Sequence, residues 1–306
     1  MTGVSEARST AAPLTARKRE LRNSVERRSR LAAGADSCYH HDTQGPGNVE
    51  TKGMFSKLFG GTAGARAGAP KVPDGTRVYV VGDVHGRADL LRQLHGQILE
   101  HAKAFAGGRK AVVYLGDYVD RGLQSREVIE LLLDEPLAGF EAVYLKGNHE
   151  QFLLEFLADA SIGPTWMFNG GDATLYSYKV GRTGLWSGDE ALRRLQADFR
   201  ANLPERHLEF VRSLDLSHVE GDYLFVHAGI RPGVPFEEQK EFDLLWIREE
   251  FLHSQADYGR VVVHGHTIVP DPEIRANRIG VDTGAFASGR LTCLVLEGES
   301  RTFLQT

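Results

Sequence analysis

Between Arg77 and Ala160 the chain repeats one pattern three times: a short apolar run, a polar turn containing glycine, then a stretch with helical spacing. "RVYVVGD" (77–83) leads into "ADLLRQLHGQILEHAKAF", where Leu90, Leu91, Leu94, Ile98 and Ala102 recur at intervals that place them on one helix face. "AVVYLGD" (111–117) leads into "SREVIELLLDE", and "EAVYLKGN" (141–148) into "HEQFLLEFLADA". Such alternation predicts βαβ units with right-handed crossovers, the strands adjacent in one sheet. Their carboxyl ends then open on one edge, where α/β sheets carry their sites.

That edge collects unusual side chains. The strand "VVYL" ends in "GDYVDRG" (116–122), so Asp117, Asp120 and Arg121 follow a run that reads as buried on both faces, and such groups are costly to bury unpaired. The other two strands end in "GDVHG" (82–86) and "GNHE" (147–150). Asp83, His85, Asp117, Asn148 and His149 together make a set of oxygen and imidazole donors without a thiol. Such a set suits hard or borderline divalent ions such as Mn, Fe or Zn, and the flanking glycines let side chains be aimed and a ligand approach. Two later strands also end in histidine: "YLFVHAG" (223–229) in His227, and "RVVVHGHT" (260–267) in His264 and His266. A lone histidine at a strand end is ordinarily a structural residue, but here five strands each end in a potential metal ligand.

Composition bounds the rest. A chain of 306 residues that is 42% hydrophobic and 25% charged is ordinary for a globular protein. No apolar run approaches the length of a membrane span. Residues 1–74 hold 12 Lys and Arg against 7 Asp and Glu, leaving 24 against 34 for the remainder, so the chain is polarised in charge. The first part is rich in Ala, Gly, Ser and Arg and has no sustained period, which predicts a disordered or low-complexity extension over 1–74. The folded body is expected over 75–306. Glu6, Glu20 and Glu26 interrupt the basic stretch, which argues against a targeting peptide, and Met54 before "FSKLFGG" would make a natural start for the working part. Cys38 lies in the polar stretch and Cys293, in "LTCLVLE", reads as a small core residue. Nothing predicts a disulfide framework, which fits a reducing, cytoplasmic setting.

In this order, "GDVHG", "GDYVDRG", "GNHE", "HAG" and "GHT" resemble the motif series of the PPP family of metal-dependent phosphoprotein phosphatases. The smaller bacterial and phage members, the lambda type, match best. The resemblance covers about residues 77–300 and extends to "WMFNGG" (166–171), "LLWIREEF" (244–251) and "VDTGA" (281–285). It implies an α/β calcineurin-like fold of two mixed β-sheets flanked by helices. It also implies two divalent metal ions, Mn above all. Asp83, His85 and Asp117 would hold the first, and Asp117, Asn148, His227 and His266 the second. A hydroxide shared by the ions would attack phosphorus directly. His149 would be the general acid and Asp120 its hydrogen-bonding partner; Arg121 and Arg248 would contact phosphate, with Asn148 also on the substrate side.

The implied substrate is a phosphorylated protein or peptide carrying phosphoserine or phosphothreonine, with phosphotyrosine also open. The alternatives are symmetrical hydrolysis of diadenosine tetraphosphate or another small phosphoester, and a scaffold that only binds phosphorylated partners. Neither a nucleic-acid partner nor a membrane span is expected. In "SGDEALRRLQADFRANLP" a capping box at Ser187 and Glu190, helical spacing at Leu192, Leu195 and Phe199 and a stop at Pro204 predict a helical insertion near 160–215. Substrate choice is expected there and around Trp166. His264, two positions from His266 along an extended strand, is expected on the same side, as a neighbour of the ligands. Arg231, near the cleft, is expected at the surface, with contact to a substrate as the alternative; Asp282 is expected either as structural support or as a group that orients a ligand. His40, His41, His95, His101, His207, His218 and His253 match no motif, and solvent is their expected place.

Overall fold

The computed structural model describes residues 68–181 and 188–306. The strands form two five-stranded mixed sheets. The first contains β1 (Thr76–Val81), β2 (Arg109–Tyr114), β3 (Glu141–Tyr144), β9 (Thr292–Glu297) and β10 (Ser300–Gln305) in the order β10-β9-β1-β2-β3. The second contains β4 (Ser217–Glu220), β5 (Tyr223–Val226), β6 (Val261–His264), β7 (Glu273–Ile274) and β8 (Arg278–Gly280) in the order β4-β5-β6-β8-β7. The three repeat strands β1, β2 and β3 are parallel neighbours, as the alternation predicts, while β9 returns antiparallel to β1. The strands bearing His227 and His264 belong to the second sheet, where β5 and β6 run parallel.

The period of two decides how the sheets meet. Val78 and Val80, Ala111 and Val113, and Leu145 face inward against Tyr223, Phe225, Val261, Val263 and Ile279 of the second sheet, all fully buried. Each buried Val, Leu, Ile or Phe among them contributes about 1.5–3 kcal/mol. The alternate residues face helices: the Tyr79 ring meets Phe140 edge-on at 5.5 Å, and the Tyr114 hydroxyl lies 2.9 Å from His95 Nε2 on α1 (Ala88–Ala102). Beyond the second sheet, Leu224, Val226 and Val262 pack with Leu244 and Ile247 and with Phe251. Those three lie on or beside α8 (Glu241–Trp246) and α9 (Glu249–Leu252).

The crossover helices follow the predicted positions: α1, α2 (Ser125–Asp134) and α3 (Asn148–Ala158). After α3 come α4 (Gly163–Trp166), a π-helical turn over Met167–Gly171, α5 (Asp172–Ser177), α6 (Asp189–Asn202) and α7 (Glu205–Arg212). Helix α6 buries Leu192, Leu195 and Phe199 as its spacing predicts, and Pro204 caps the start of α7. Ser187 of the expected capping box lies outside the described residues, as does most of the extension. Pro70 to Pro73, placed by sequence in that extension, lie against the body. The Val72 side chain is in the core between the sheets, and its N–H donates to the Gly298 carbonyl at 3.1 Å. Among the described residues no helix is long and apolar enough to cross a membrane.

Candidate metal centre and acid pair

Each motif follows a strand, and the chain leaves each strand by a backbone turn that only strong local contacts can hold. Six non-glycine residues among those described have positive φ, and five of them are His85, Asp117, Asp120, Arg121 and His266. Backbone strain therefore concentrates where the sequence placed the chemistry. Two glycines matter through close approach. A methyl at Gly147 would overlap the Asp117 carboxylate, and one at Gly265 would overlap that of Asp83.

Asp117 is central. One carboxylate oxygen lies 3.4 Å from His85 Nε2 and 3.8 Å from His149 Nε2; the other lies 3.4 Å from His227 Nε2 and accepts the His149 N–H at 3.1 Å. Ligand-type atoms gather in two groups that share it: His85, Asp117 and His149, and Asp117, His227 and His266, all buried. Asn148 Oδ1 joins the second group, 2.9 Å from His227 Nε2. Asp83 belongs to neither three-residue group; its two oxygens accept the His266 N–H at 3.0 and 3.2 Å.

These atoms fit a cation. His85 Nδ1 lies 2.9 Å from the Val119 carbonyl and His227 Nδ1 2.9 Å from the Leu115 carbonyl, so in each ring the Nδ1–H is donated and Nε2 keeps its lone pair. His85 Nε2 is buried with no hydrogen-bond partner. His227 Nε2 faces the acceptor Asn148 Oδ1 and also His266 Nδ1 at 3.2 Å. Lone pairs crowded in this way are costly unless a positive charge lies among them. Burial holds His85, His227 and His266 below the ordinary imidazole range, which keeps them neutral as ligands must be. Burial acts to raise Asp117, but its surroundings, His227, His149 and His85 together with the Arg121 guanidinium, outweigh it and keep its pKa low. Asp83 is pushed up by burial and by the charges of Asp282 and Asp117, a repulsion that a divalent ion would relieve.

The acid pair sits beside this centre. His149 Nδ1 lies 2.7 Å from Asp120 Oδ2, both residues buried. Arg121, next in sequence, holds its guanidinium 4.8 Å from the centre of the Phe286 ring, and that ring meets His85 edge-on at 5.5 Å. Arg248, largely buried, donates to the His266 carbonyl at 3.3 Å and to Thr267 Oγ1 at 3.2 Å. Every residue expected at the site is thus brought to one place, at the carboxyl ends of strands from both sheets.

The structure corrects several neighbouring expectations. The strand ends at His264, so the period-two argument fails for His266, whose φ of 63° turns it into the centre; His264 packs edge-on against Phe251 at 5.1 Å. Arg231 is at the surface, its side chain well exposed, and is bound there in a two-pronged pair with Asp243 at 2.6 and 3.0 Å. Asp282 is buried, accepts the Gly284 N–H at 2.8 Å through Oδ1 and leaves Oδ2 unpartnered; burial lifts its pKa to about 6. His95 and His207 are core residues paired with Tyr114 and Tyr178 at 2.9 Å, because a polar ring on an apolar helix face needs only one hydroxyl partner to be buried. His40 and His41 lie outside the described residues. In the segment around Trp166, where substrate choice is expected, the Trp166 ring itself is fully buried behind Asp120, while Phe168 is exposed.

Glu150 is the residue that sequence reasoning missed. Its buried carboxylate accepts four backbone N–H groups: Gly147 and Asp117 at 2.9 Å on one oxygen, Tyr118 at 2.8 Å and Val119 at 3.2 Å on the other. It ties the "GDYVD" turn to the start of α3. The available signal was a glutamate at the third helical position after a glycine, the place of a capping-box acid.

Known proteins resemble this chain over the same span. The family profile described as calcineurin-like phosphoesterase matches residues 76–289. Serine/threonine-protein phosphatase 2 of Escherichia coli (strain K12) is 29% identical over 224 residues, covering 70% of this chain and 90% of that protein. The bis(5'-nucleosyl)-tetraphosphatase PrpE [asymmetrical] of Anoxybacillus flavithermus is 26% identical over 234 residues, covering 70% of this chain and 88% of that protein. Among solved structures, a cold-active protein tyrosine phosphatase matches in fold with a TM-score of 0.50 and 19% identity, covering 76% of this chain and 81% of that one. With the profile matching well over half of its length, this chain belongs to the calcineurin-like phosphoesterase family.

Proposed function

We propose that residues 75–306 form a phosphomonoesterase domain, with a helical insertion near 160–215, that acts on phosphoserine and phosphothreonine in proteins or peptides and also accepts phosphotyrosine. Asp83, His85 and Asp117 would hold one divalent ion, and Asp117, Asn148, His227 and His266 a second, with Mn the expected metal. Bound ions supply Lewis acidity and a water made acidic enough to serve as nucleophile near neutral pH. Arg121 and Arg248 bind the phosphate oxygens, and Asn148 sits at the substrate side of its ligand group. His149 gives a proton to the departing oxygen from Nε2, while Asp120, at Nδ1, holds the ring and balances its charge.

The 2.7 Å contact between Asp120 and His149 carries this reading. An alkoxide leaving group is a strong base and needs an acid beside it; a phosphate leaving from an anhydride is a weak base and does not. The relatives named serine/threonine-protein phosphatase 2 point the same way. A second reading, hydrolysis of a dinucleoside tetraphosphate, is favoured by the relatives named PrpE, which are described as asymmetrical, unlike the symmetrical cleavage expected from sequence. The test compares rates on a phosphoserine peptide, a phosphotyrosine peptide and diadenosine tetraphosphate in Mn-loaded protein. His149→Asn is expected to lower turnover on the serine ester by about 10²-fold or more and on an aryl phosphate far less. Equal losses on both esters, or a preference for the tetraphosphate, would overturn the proposal.

A further inference from the structure

The "WMFNGG" segment touches the acid pair from behind, and its contacts fall on two consecutive residues. Asp120 Oδ2 accepts the Trp166 indole N–H at 2.9 Å as well as the His149 ring N–H, and Oδ1 accepts the Thr174 hydroxyl at 2.6 Å. Thr174 Oγ1 also accepts the Asp120 backbone N–H at 2.8 Å, so one hydroxyl binds both the main chain and the side chain of Asp120. Between them, the Gly170 carbonyl accepts the Arg121 N–H at 3.1 Å. These residues are spaced four apart, and the π turn over Met167–Gly171 lies between the first and the last. Such turns are rare and recur at functional sites. Gly170, at φ 96°, stands where a Cβ would come within 2.8 Å of the Arg121 nitrogen.

We infer that Trp166 and Thr174 are positioning residues, which fix the Asp120 carboxylate so that it presents His149 to the leaving group; the inference rests on the proposed acid role of His149. A carboxylate with one partner can swing about its side-chain torsions. This one has donors on three sides, so its plane is set by groups of the insertion, and the imidazole it holds is set with it. Asp120 and Arg121 both occupy the left-handed region, at φ 72° and 67°, a conformation that persists only where surroundings over-determine it. The three contacts from the insertion do that. Trp166 also packs against Phe156 at 5.0 Å and Phe199 at 5.5 Å, so it has a plain core role that any test must separate.

Trp166→Phe removes the donor and keeps an aromatic ring; Thr174→Val removes the hydroxyl, and Thr174→Ser keeps it. In Mn-loaded protein, Trp166→Phe and Thr174→Val are expected to lower kcat on a phosphoserine peptide roughly tenfold with KM little changed, and to lower it less on p-nitrophenyl phosphate. Thr174→Ser should restore the rate. Adding Trp166→Phe to His149→Asn should cost nothing more, since both act on one step. Independently of hydrolysis, the His149 Nδ1 proton, assigned by its loss in His149→Asn, should give a downfield proton NMR signal in protein loaded with diamagnetic zinc. That signal should move and exchange faster in Trp166→Phe. An unchanged signal, equal losses on both esters, or multiplicative losses in the double variant would overturn the positioning role. A His149→Asn variant without leaving-group selectivity would instead overturn the acid assignment, leaving the signal to decide whether Trp166 and Thr174 hold the pair.

Discussion

Glu150→Gln should destabilise the protein far more than a change of one atom in a side chain ordinarily does. The carboxylate is fully buried and receives two backbone N–H groups on each oxygen. Burial and the Asp117 charge push its pKa up to about 8 against the downward pull of those N–H groups. Both oxygens face donors and none of its four partners could accept a carboxyl proton, so the ionised form is the one this cradle holds. Glutamine keeps one oxygen for two of the N–H groups and turns an NH2 group toward the other two. At about 1–3 kcal/mol for each buried N–H left unsatisfied, the loss is about 2–6 kcal/mol, a large part of the stability of an ordinary domain. The assay is urea unfolding at pH 9, above the pKa of about 8 so that the carboxylate is ionised, comparing midpoint and slope with the parent. A loss below about 1 kcal/mol would refute the reasoning, because it would mean that position 150 already carries a proton and that an amide replaces it without conflict.

Two further outcomes follow from other parts of the molecule. Divalent metal should raise the unfolding temperature, by the equivalent of about 2.7 kcal/mol at a hundredfold excess over its Kd, and a chelator or His227→Asn should abolish the gain; no gain with Mn, Fe or Zn would count against the donor set. Stability should also fall between pH 6.5 and about 4 on account of His95, whose pKa burial, with Arg92 nearby, lowers to about 4. The unfolded chain takes up a proton in that window and the folded one does not, so the contribution is complete above pH 6.5 and is lost as pH falls, up to about 3 kcal/mol in all. His95→Gln should make the acid slope of unfolding free energy shallower by close to one proton, and an unchanged slope would refute the assignment.

How much of this was legible in the sequence depended on the range of the interaction. The three strand, turn and helix units were readable because apolar spacing and glycine are local signals, and the ligand types stood at the strand ends where the topology gathers them. The hydrogen bond from the Trp166 ring was not legible because its partner, Asp120, lies 46 positions away, and no period reports a contact of that range. The direction of His266 was not legible because the strand ends at His264, and a single left-handed residue at His266 cancels any argument from alternation. The role of Glu150 was hidden for a different reason: its partners are backbone N–H groups, which every residue but proline carries and which no composition distinguishes.

The place of β1 in its sheet bears on how the molecule can be made. Val78 to Val81, the strand that delivers Asp83 and His85, is flanked on one side by β2 and on the other by β9, with Val81 opposite Cys293. During synthesis that second side has no mate until more than two hundred further residues have left the ribosome. Until then one row of amide groups on the nascent chain stands open, and the loop bearing two of the expected ligands hangs from an unfinished support. Assembly of the centre is therefore expected to come late, after the closing hairpin arrives, and a chain cut short before Thr292 would retain all six expected ligands without a frame to hold them.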